Sequence, residues 1–232
     1  MKIALLGGIG VEASCYAYSE VVKRIQNRGN IVSNTDYPQI IINSINAPEL
    51  HLEEHDCDAV LAHYVQGVQE LAVQRPDFIV MVCNTIHLFR DSIIRATEFD
   101  NILSIREIVA QEINKHGTRK VCVLGTGLTA IRGLYEYEGI ENVPVSLEEQ
   151  YLLVDVICRF NAGKLSRKEA QLLMFPLIQR KQKQGADTFL FACTEISEVL
   201  SDLDIPALDT LELLIDEVVS RFLDYKHLEG AA

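Results

Sequence analysis

The sequence predicts an α/β fold: two pseudo-symmetric domains, each a short parallel sheet flanked by helices, with a cleft between them. Three observations support this. Short apolar runs alternate with segments of helical periodicity, the pattern of parallel sheets covered on both faces. A strand–glycine turn and a strand–cysteine–polar unit each occur twice, in the same order. No low-complexity stretch or linker interrupts the 232 residues, a length between one large domain and two small ones at roughly 100–200 residues per domain.

Lys2–Leu6 is a short apolar run closed by Gly7 and Gly8, which reads as a buried strand and a tight turn. Over Ala13–Arg28, the residues Ala13, Tyr16, Ala17, Val21 and Ile25 fall near helical spacing. Gln39–Ile42 is β-branched and strand-like, and Ala59–Val73 returns to helical spacing. Asp77–Val82 is a strongly apolar strand followed by the polar Cys83, Asn84 and Thr85. Ile102–Leu103 reads as a third short strand, and Glu107–Asn114 as a helix closed by Gly117. The plan then restarts. Lys120–Leu124 is a strand ending in Gly125, Thr126 and Gly127. Leu147–Phe160 and Ser166–Gln184 are helical, the latter stopped by Gly185. Thr188–Ala192 is a strand ending in Cys193, Thr194 and Glu195; Ile205–Leu208 is a short strand introduced by Pro206. Leu211–Leu223 is an amphipathic helix, and Lys226–Ala232 a frayed tail.

The echo is specific. DFIVMVCNTI, from Asp77, matches DTFLFACTEI, from Asp187, at an offset of 110, with Asp, Cys and Ile coincident. IALLGG from Ile3 matches VCVLGT from Val121 at an offset of 118. A duplicated unit follows. Residues 1–103 form an N-terminal domain, 104–209 a C-terminal domain, and a last helix over 210–227 packs on the first.

Lys plus Arg total 21 against 33 Asp plus Glu, a net charge of −12. That balance excludes nucleic acid, which needs clustered Lys and Arg, and an anionic membrane surface. No apolar run approaches the ~20 residues of a spanning helix, and MKIALLGGIG lacks the long apolar region and cleavage site of a secretory signal. A cytoplasmic location is expected, where cysteines remain thiols. The six cysteines, at 15, 57, 83, 122, 158 and 193, form no C-x-x-C pair, which excludes zinc-ribbon and thioredoxin readings. Cys15, Cys57, Cys122 and Cys158 sit in apolar periodic segments and read as packing residues. No His/Asp cluster has metal spacing, and no lysine setting calls for pyridoxal phosphate. The glycine turn fails as a dinucleotide fingerprint, because position 13 is Ala and no acidic partner falls about 20 residues on.

Open parallel sheets bind ligands beyond the carboxyl ends of their strands. Cys83 and Cys193 both lie at such ends, and facing halves would point both into one cleft. Free backbone N–H groups and a helix start lower a thiol from about 8.5 toward neutrality and also bind a carboxylate. Thr85, Thr126 and Thr194 add hydroxyl donors and Asn84 an amide. Two thiols on opposite walls suit racemisation at a carbon α to a carboxylate: one removes the proton as a thiolate while the other donates one as a thiol.

The pieces GGIGVEAS, VCNTIH, LGTGLTAIRGLY and FACTEIS, in this order and at this length, resemble the aspartate/glutamate racemase superfamily. The cofactor-independent aspartate racemase branch is the nearest in character. The resemblance spans essentially the whole chain, with VCNT and ACTE its specific parts. It implies an amino-acid racemase without pyridoxal phosphate or other cofactor, an active-site cleft between the two domains, a small-molecule amino-acid substrate and a homodimer. Cys83 and Cys193 would be the catalytic acid/base pair. Asn84, Thr85 and Thr194 would hold the α-carboxylate or amino group; the backbone at Ile9 and the side chain of Thr126 would line the site. Lys164, after Gly163, stands where the family often has a basic residue near the substrate side chain. The chain also departs from the family. Val11 replaces a common Pro, and no Arg or Lys occurs between Arg28 and Arg75, where many aspartate racemases clamp the distal carboxylate near Ala47–His51. Aspartate is therefore a doubtful substrate, and His51 or His55 could read a different side chain.

Two residues keep two readings. His87 could raise the thiolate character of Cys83 or serve as an outlying hydrogen-bond partner. Glu195 could orient a thiol or amine, or cap its helix. Asp209 and Thr210 read as an N-cap rather than a catalytic pair. Glu136, Glu138 and Glu141, and the pair Glu53 and Glu54, read as solvated faces. A hydantoin racemase, a maleate isomerase-like enzyme and a non-catalytic two-lobed binding protein are the alternatives.

Overall fold

A computed structural model describes residues 1–48 and 57–230; His51, His55, Glu53 and Glu54 lie outside the described residues. The described residues form two compact units, one of residues 1–48, 57–105 and 211–230, the other of 106–210. Each is built on a parallel sheet flanked by helices, as the alternating pattern requires.

In the first unit β1 (Lys2–Gly7) is the central strand, between β2 (Gln39–Ser44) and β3 (Phe78–Met81). Register pairs Leu6 with Asn43 on one side and Met81 on the other. Ile3, Ala4, Leu5 and Leu6 are all buried, so β1 is apolar on both faces, as a strand covered twice must be. β2 has only exposed and half-buried positions, fitting its place at the edge. Helix α1 (Val11–Arg28) buries Ala13, Ala17, Val21 and Ile25, four positions spaced four apart. Helix α2 (Cys57–Ala72) buries Val60, Tyr64, Val68 and Leu71. It approaches β1 closely because of Gly67, where a Cβ would stand only 2.8 Å from Leu6 Cδ1. α3 (Arg90–Thr97), the first residue of α4 (Ile105–His116) and α9 (Thr210–Gly230) from Leu211 onward complete the unit. Leu214, Ile215, Val218, Val219 and Phe222 of α9 are buried, each contributing about 1.5–3 kcal/mol. The half-exposed Arg28–Asp216 pair, 3.0 Å apart, contributes only about 0–1 kcal/mol. Apolar packing therefore holds α9, while ion pairs such as Arg24–Asp216, 3.0 Å, set its register on α1.

In the second unit four parallel strands run in the order β5-β4-β6-β7: β4 (Lys120–Gly125), β5 (Glu141–Asn142), β6 (Thr188–Ala192) and β7 (Ala207–Asp209). Gly125 pairs with Ala192. Around them lie α5 (Gly127–Ile131), α6 (Leu147–Asn161), α7 (Arg167–Lys183) and α8 (Thr194–Leu200). Leu153, Val156, Met174, Leu177, Phe189 and Val199 form the centre of the core. Helices α6 and α7 both open with capping boxes, Ser146 with Glu149 and Ser166 with Glu169, each satisfying donors that a bare helix start leaves unpaired. The buried Lys181 ammonium is paired rather than stranded, donating to Pro144 O and Glu149 Oε2 at 2.6 Å each.

Several sequence-based expectations are corrected. Ile102 makes a single parallel bridge to Ile79, because the chain turns into α4 before a further strand can form there. The strand expected at Ile205–Leu208 starts two residues later, after Pro206, whose ring offers no ladder N–H. Residues Lys226–Gly230 continue α9 rather than fray, and Lys226 pairs with Asp36 at 3.5 Å. Cys57 and Cys122 are buried as expected, but Cys15 and Cys158 are exposed. Cys15 falls between the buried positions 14 and 17 of α1, and Cys158 directly follows the buried Val156 and Ile157, on turns that face outward. Among the described residues no helix is long and apolar enough to cross a membrane.

Candidate active site

The first unit brings Cys83, Asn84, Thr85 and the Ile9 loop to one edge of its sheet. β1 and β3 run parallel with Leu6 opposite Met81, so Gly8 and Cys83 both leave the carboxyl edge two residues later. The Gly8–Ile9–Gly10 turn closes on itself through a Gly8–Gly10 bridge. Gly8 adopts φ 123, and a Cβ there would stand 1.9 Å from Ile45 O, so only glycine fits. Ser14, buried beside Gly7, leaves its Oγ without a hydrogen-bond partner among the described residues. Cys83 and Asn84 are half-buried, and Thr85 opens a buried 3-10 turn over Thr85–Phe89. That short turn, rather than a regular helix, follows the cysteine.

His87 is buried, and its bonds define its tautomer. Nε2 donates to Met81 O at 3.1 Å, and Nδ1 lies 3.5 Å from the Ile105 N–H. Burial above all, with the Arg90 charge, lowers its pKa to about 4, against the effect of the Met81 carbonyl. His87 is thus a neutral tether between β3 and the start of α4 and supplies no positive charge to Cys83. The consequence for stability has a definite sign. The unfolded chain binds a proton near the usual value of about 6.5 and the folded chain only near 4, so acid favours unfolding between those values. At about 1.36 kcal/mol per unit, His87 should remove about 3 kcal/mol of stability as pH falls from 6.5 to 4. Urea titrations across that range should show the slope, and His87→Gln should flatten it.

The second unit repeats the arrangement with tighter bonding. Cys193 directly follows β6 and is the N-cap residue of α8. Its Sγ donates to Glu195 Oε2 at 2.7 Å, and Thr194 Oγ1 donates to the same oxygen at 2.9 Å. Asn161, from the end of α6, donates to Glu195 Oε1 at 2.8 Å. Burial works against the Glu195 charge, but bonds from Cys193, Asn161 and Thr194 outweigh it and hold the carboxyl below its usual value. For Cys193 the balance runs the other way. Burial first, then the Glu195 charge, push the thiol well above its ordinary value, while the N–H groups of Glu195 and Ile196 pull it down without prevailing. The expectation of two thiols lowered by helix starts is therefore corrected at Cys193. The helix start is present, and burial, joined by the Glu195 carboxylate, overrides it.

Thr126 leaves β4 opposite the Ala192–Cys193 step and lies 3.2 Å from Thr129 Oγ1. Lys164 is exposed on the turn after α6, three residues beyond Asn161. Thr210 Oγ1 donates to Phe191 O at 3.0 Å, and Asp209 accepts from Ser197 Oγ. Both are therefore structural ties at the β6–β7 edge. Sequence reasoning missed Asn161. Asn161 lies 34 positions from Glu195 with no local signal. Among the described residues no group of three or more His, Cys, Asp or Glu could hold a metal ion.

The model of the Asp/Glu/hydantoin racemases matches residues 6–218. The chain belongs to that family. Membership makes it an isomerase of the amino-acid racemase type. It is similar to the broad-specificity amino-acid racemase RacX of Bacillus subtilis, 25% identical over 230 residues, covering 97% of this chain and 99% of the relative. Among solved structures it resembles an aspartate racemase homologue from Pyrococcus horikoshii, with a TM-score of 0.75, 25% identity, and 95% and 98% of the two chains covered. The fold is shared with the aspartate racemase of Picrophilus torridus, at a TM-score of 0.69, 19% identity, and 95% and 94% covered. This racemase thus matches its relatives over almost their full length.

Proposed function

We propose that this racemase inverts the α-carbon of a free amino acid, without a cofactor, using Cys83 and Cys193 as alternating base and acid. The observation that carries the reading is the repeated placement of a cysteine just beyond the strand that pairs with the first strand of its unit, Cys83 after β3 and Cys193 after β6. The thiolate of one removes the α-proton, the thiol of the other delivers a proton to the opposite face, and the reverse reaction exchanges the roles. Asn84, Thr85, Thr126 and Thr194, with the Ile9 backbone, bind the carboxylate and stabilise charge that develops next to it. Glu195 takes the substrate ammonium. That cation offsets the Glu195 charge, so substrate binding itself eases ionisation of Cys193.

The absence of Arg and Lys between Arg28 and Arg75, together with the broad specificity of the Bacillus subtilis relative, supports substrates whose side chains carry no distal carboxylate. Lys164 is the remaining cation for an acidic side chain. The reading takes residues 1–103 with 210–227, and 104–209, as the two domains, and places the protein in the cytoplasm as a homodimer.

Incubation of the enzyme with an L-amino-acid panel in D2O tests the chemistry and the substrate together. The substrate should gain deuterium at the α-carbon and its D-enantiomer should accumulate. Neither exchange nor racemisation across the panel, with turnover of a 5-substituted hydantoin or of maleate, would move the protein to another branch of the family. Silence toward all of these would leave a binding protein.

A further inference from the structure

The second unit holds a cavity of about 140 Å³ where the β4–β5 edge of its sheet meets α5 and the start of α6. Its walls are apolar, from Val123, Val143 and Ile131. Ile131 is also exposed to solvent, so the cavity reaches the surface. Two side-chain amides line it as well, Asn142 from β5 and Gln150 from α6. Gln150 is only 2% exposed. Both Asn142 Oδ1 and Gln150 Oε1 are buried, and neither accepts a hydrogen bond among the described residues. Such groups are costly, and native interiors keep few of them. Their backbone is firmly held. The Val143 N–H donates to Val121 O at 2.7 Å and the Gln150 N–H to Ser146 O at 2.8 Å. Lys181 fastens the intervening loop through Pro144 O at 2.6 Å. Two amides are thus fixed on the wall of an apolar cavity with acceptor capacity left over.

We propose that this cavity is a second binding site, separate from the catalytic cysteines, for a small primary amine with an apolar body. Size sets the body. A cavity of about 150 Å³ accommodates benzene, so about six non-hydrogen atoms fit. Polarity sets the head. An alkylammonium brings three donors and no acceptor, which suits two unpartnered amide oxygens. Glu136 lines the same cavity and adds a negative charge, and no Lys or Arg is among the lining residues. The cations bonded to the surrounding backbone are already engaged, Lys181 by Pro144 O and Glu149, Arg106 by Leu134 O and Glu136 O. An anion therefore finds no counter-charge there. A free amino acid is disfavoured for the same reason, because its carboxylate would meet Glu136. None of the residues assigned to racemisation lines the cavity. The site stands whether or not Cys83 and Cys193 are the acid and base.

The test uses n-butylammonium chloride as the probe, titrated into the full-length protein and followed by amide NMR. The N–H signals of Val123, Asn142, Val143 and Gln150 should shift saturably, with an affinity in the millimolar range expected of so small a ligand. Sodium butyrate, of the same length but opposite charge, should leave them in place. Gln150→Leu keeps the approximate shape and removes the amide. It should weaken butylammonium about tenfold without lowering the melting temperature, because it also removes an unpaired buried carbonyl. Glu136→Gln, at an exposed position, should weaken binding about threefold and keeps the test open if Gln150→Leu does not fold. No saturable shift at these residues, equal shifts with butyrate, or undiminished affinity in folded Gln150→Leu would each overturn the proposal, leaving a cavity that holds only water. Shifts confined to Cys193, Thr194 and Glu195 would place the amine in the catalytic site and overturn it too. Failure of racemisation in the wild-type protein would defeat the two-thiol reading and leave the cavity result untouched.

Discussion

Cys83→Ser and Cys193→Ser should each reduce racemisation by about 10²–10⁴-fold, the usual worth of a positioned acid or base. The reason is geometric as well as chemical. Inversion needs a proton removed on one face of the α-carbon and another delivered on the opposite face, so a single thiol cannot complete it. A serine hydroxyl is a far weaker acid than a thiol and a negligible base at neutral pH. Each single variant should nevertheless keep half of the chemistry. The remaining thiolate can remove the α-proton of one enantiomer and return a deuteron from solvent to the same face. In D2O, Cys83→Ser and Cys193→Ser should therefore exchange opposite enantiomers with retention, and neither should invert. The substitutions remove one sulfur each from half-buried positions, so unchanged circular dichroism and melting temperature should accompany the loss. Normal turnover by either folded variant would eliminate the two-thiol mechanism.

The sequence exposes the sheet plan because the plan is local. β1, β3, β4 and β6 are runs of four to six residues, nearly all buried, and a run of that kind at a parallel centre has no other stable use. Strands that depend on their neighbours are harder to read. β5 is two residues long and exists only because Lys120 and Val121 offer an edge to Glu141 and Asn142. Ile102 looks as strand-like as Leu208, yet only the latter gains a ladder, since Phe189 to Phe191 present three successive partners to Ala207–Asp209.

The site divides in the same way. The strand-end positions of Cys83 and Cys193 follow from patterning and from the echo between the halves. What each sulfur meets does not. The carboxylate on Cys193 comes from the next turn, but the amide that fixes that carboxylate comes from α6. His87 at four residues from Cys83 suggests a thiol activator, and only its burial and two backbone contacts reveal a neutral tether. Position along the chain predicts which groups are near a strand edge; the sign of their effect on a proton depends on desolvation, which is a property of the folded interior.

Glu195→Gln should shift the reaction toward acid. The amide keeps the shape, and its oxygen can still receive Thr194 and the Cys193 thiol, but the negative charge is gone. Burial alone then raises Cys193, so its thiol should fall from its present position by about one to three pH units, the scale of a charge in direct contact. It should remain above its ordinary value, because desolvation is the larger cause and is untouched. Two measurements follow from that sign. Alkylation of Cys193 at neutral pH should become faster in Glu195→Gln, by about tenfold for each unit of the shift. In the direction of racemisation that needs Cys193 as the acid, the alkaline limb of kcat should move to lower pH by the same amount, since Cys193 must keep its proton to act. KM should rise as well if the carboxylate takes the substrate ammonium, whereas a purely structural role would leave KM alone and lower the melting temperature instead. Asn161→Leu makes the connection sharper: it removes the bond that steadies Glu195 while leaving its charge, so it should loosen substrate binding without accelerating Cys193 alkylation. Equal alkylation rates for Cys193 in the parent enzyme and Glu195→Gln would show that burial alone sets this thiol and would remove Glu195 from the account.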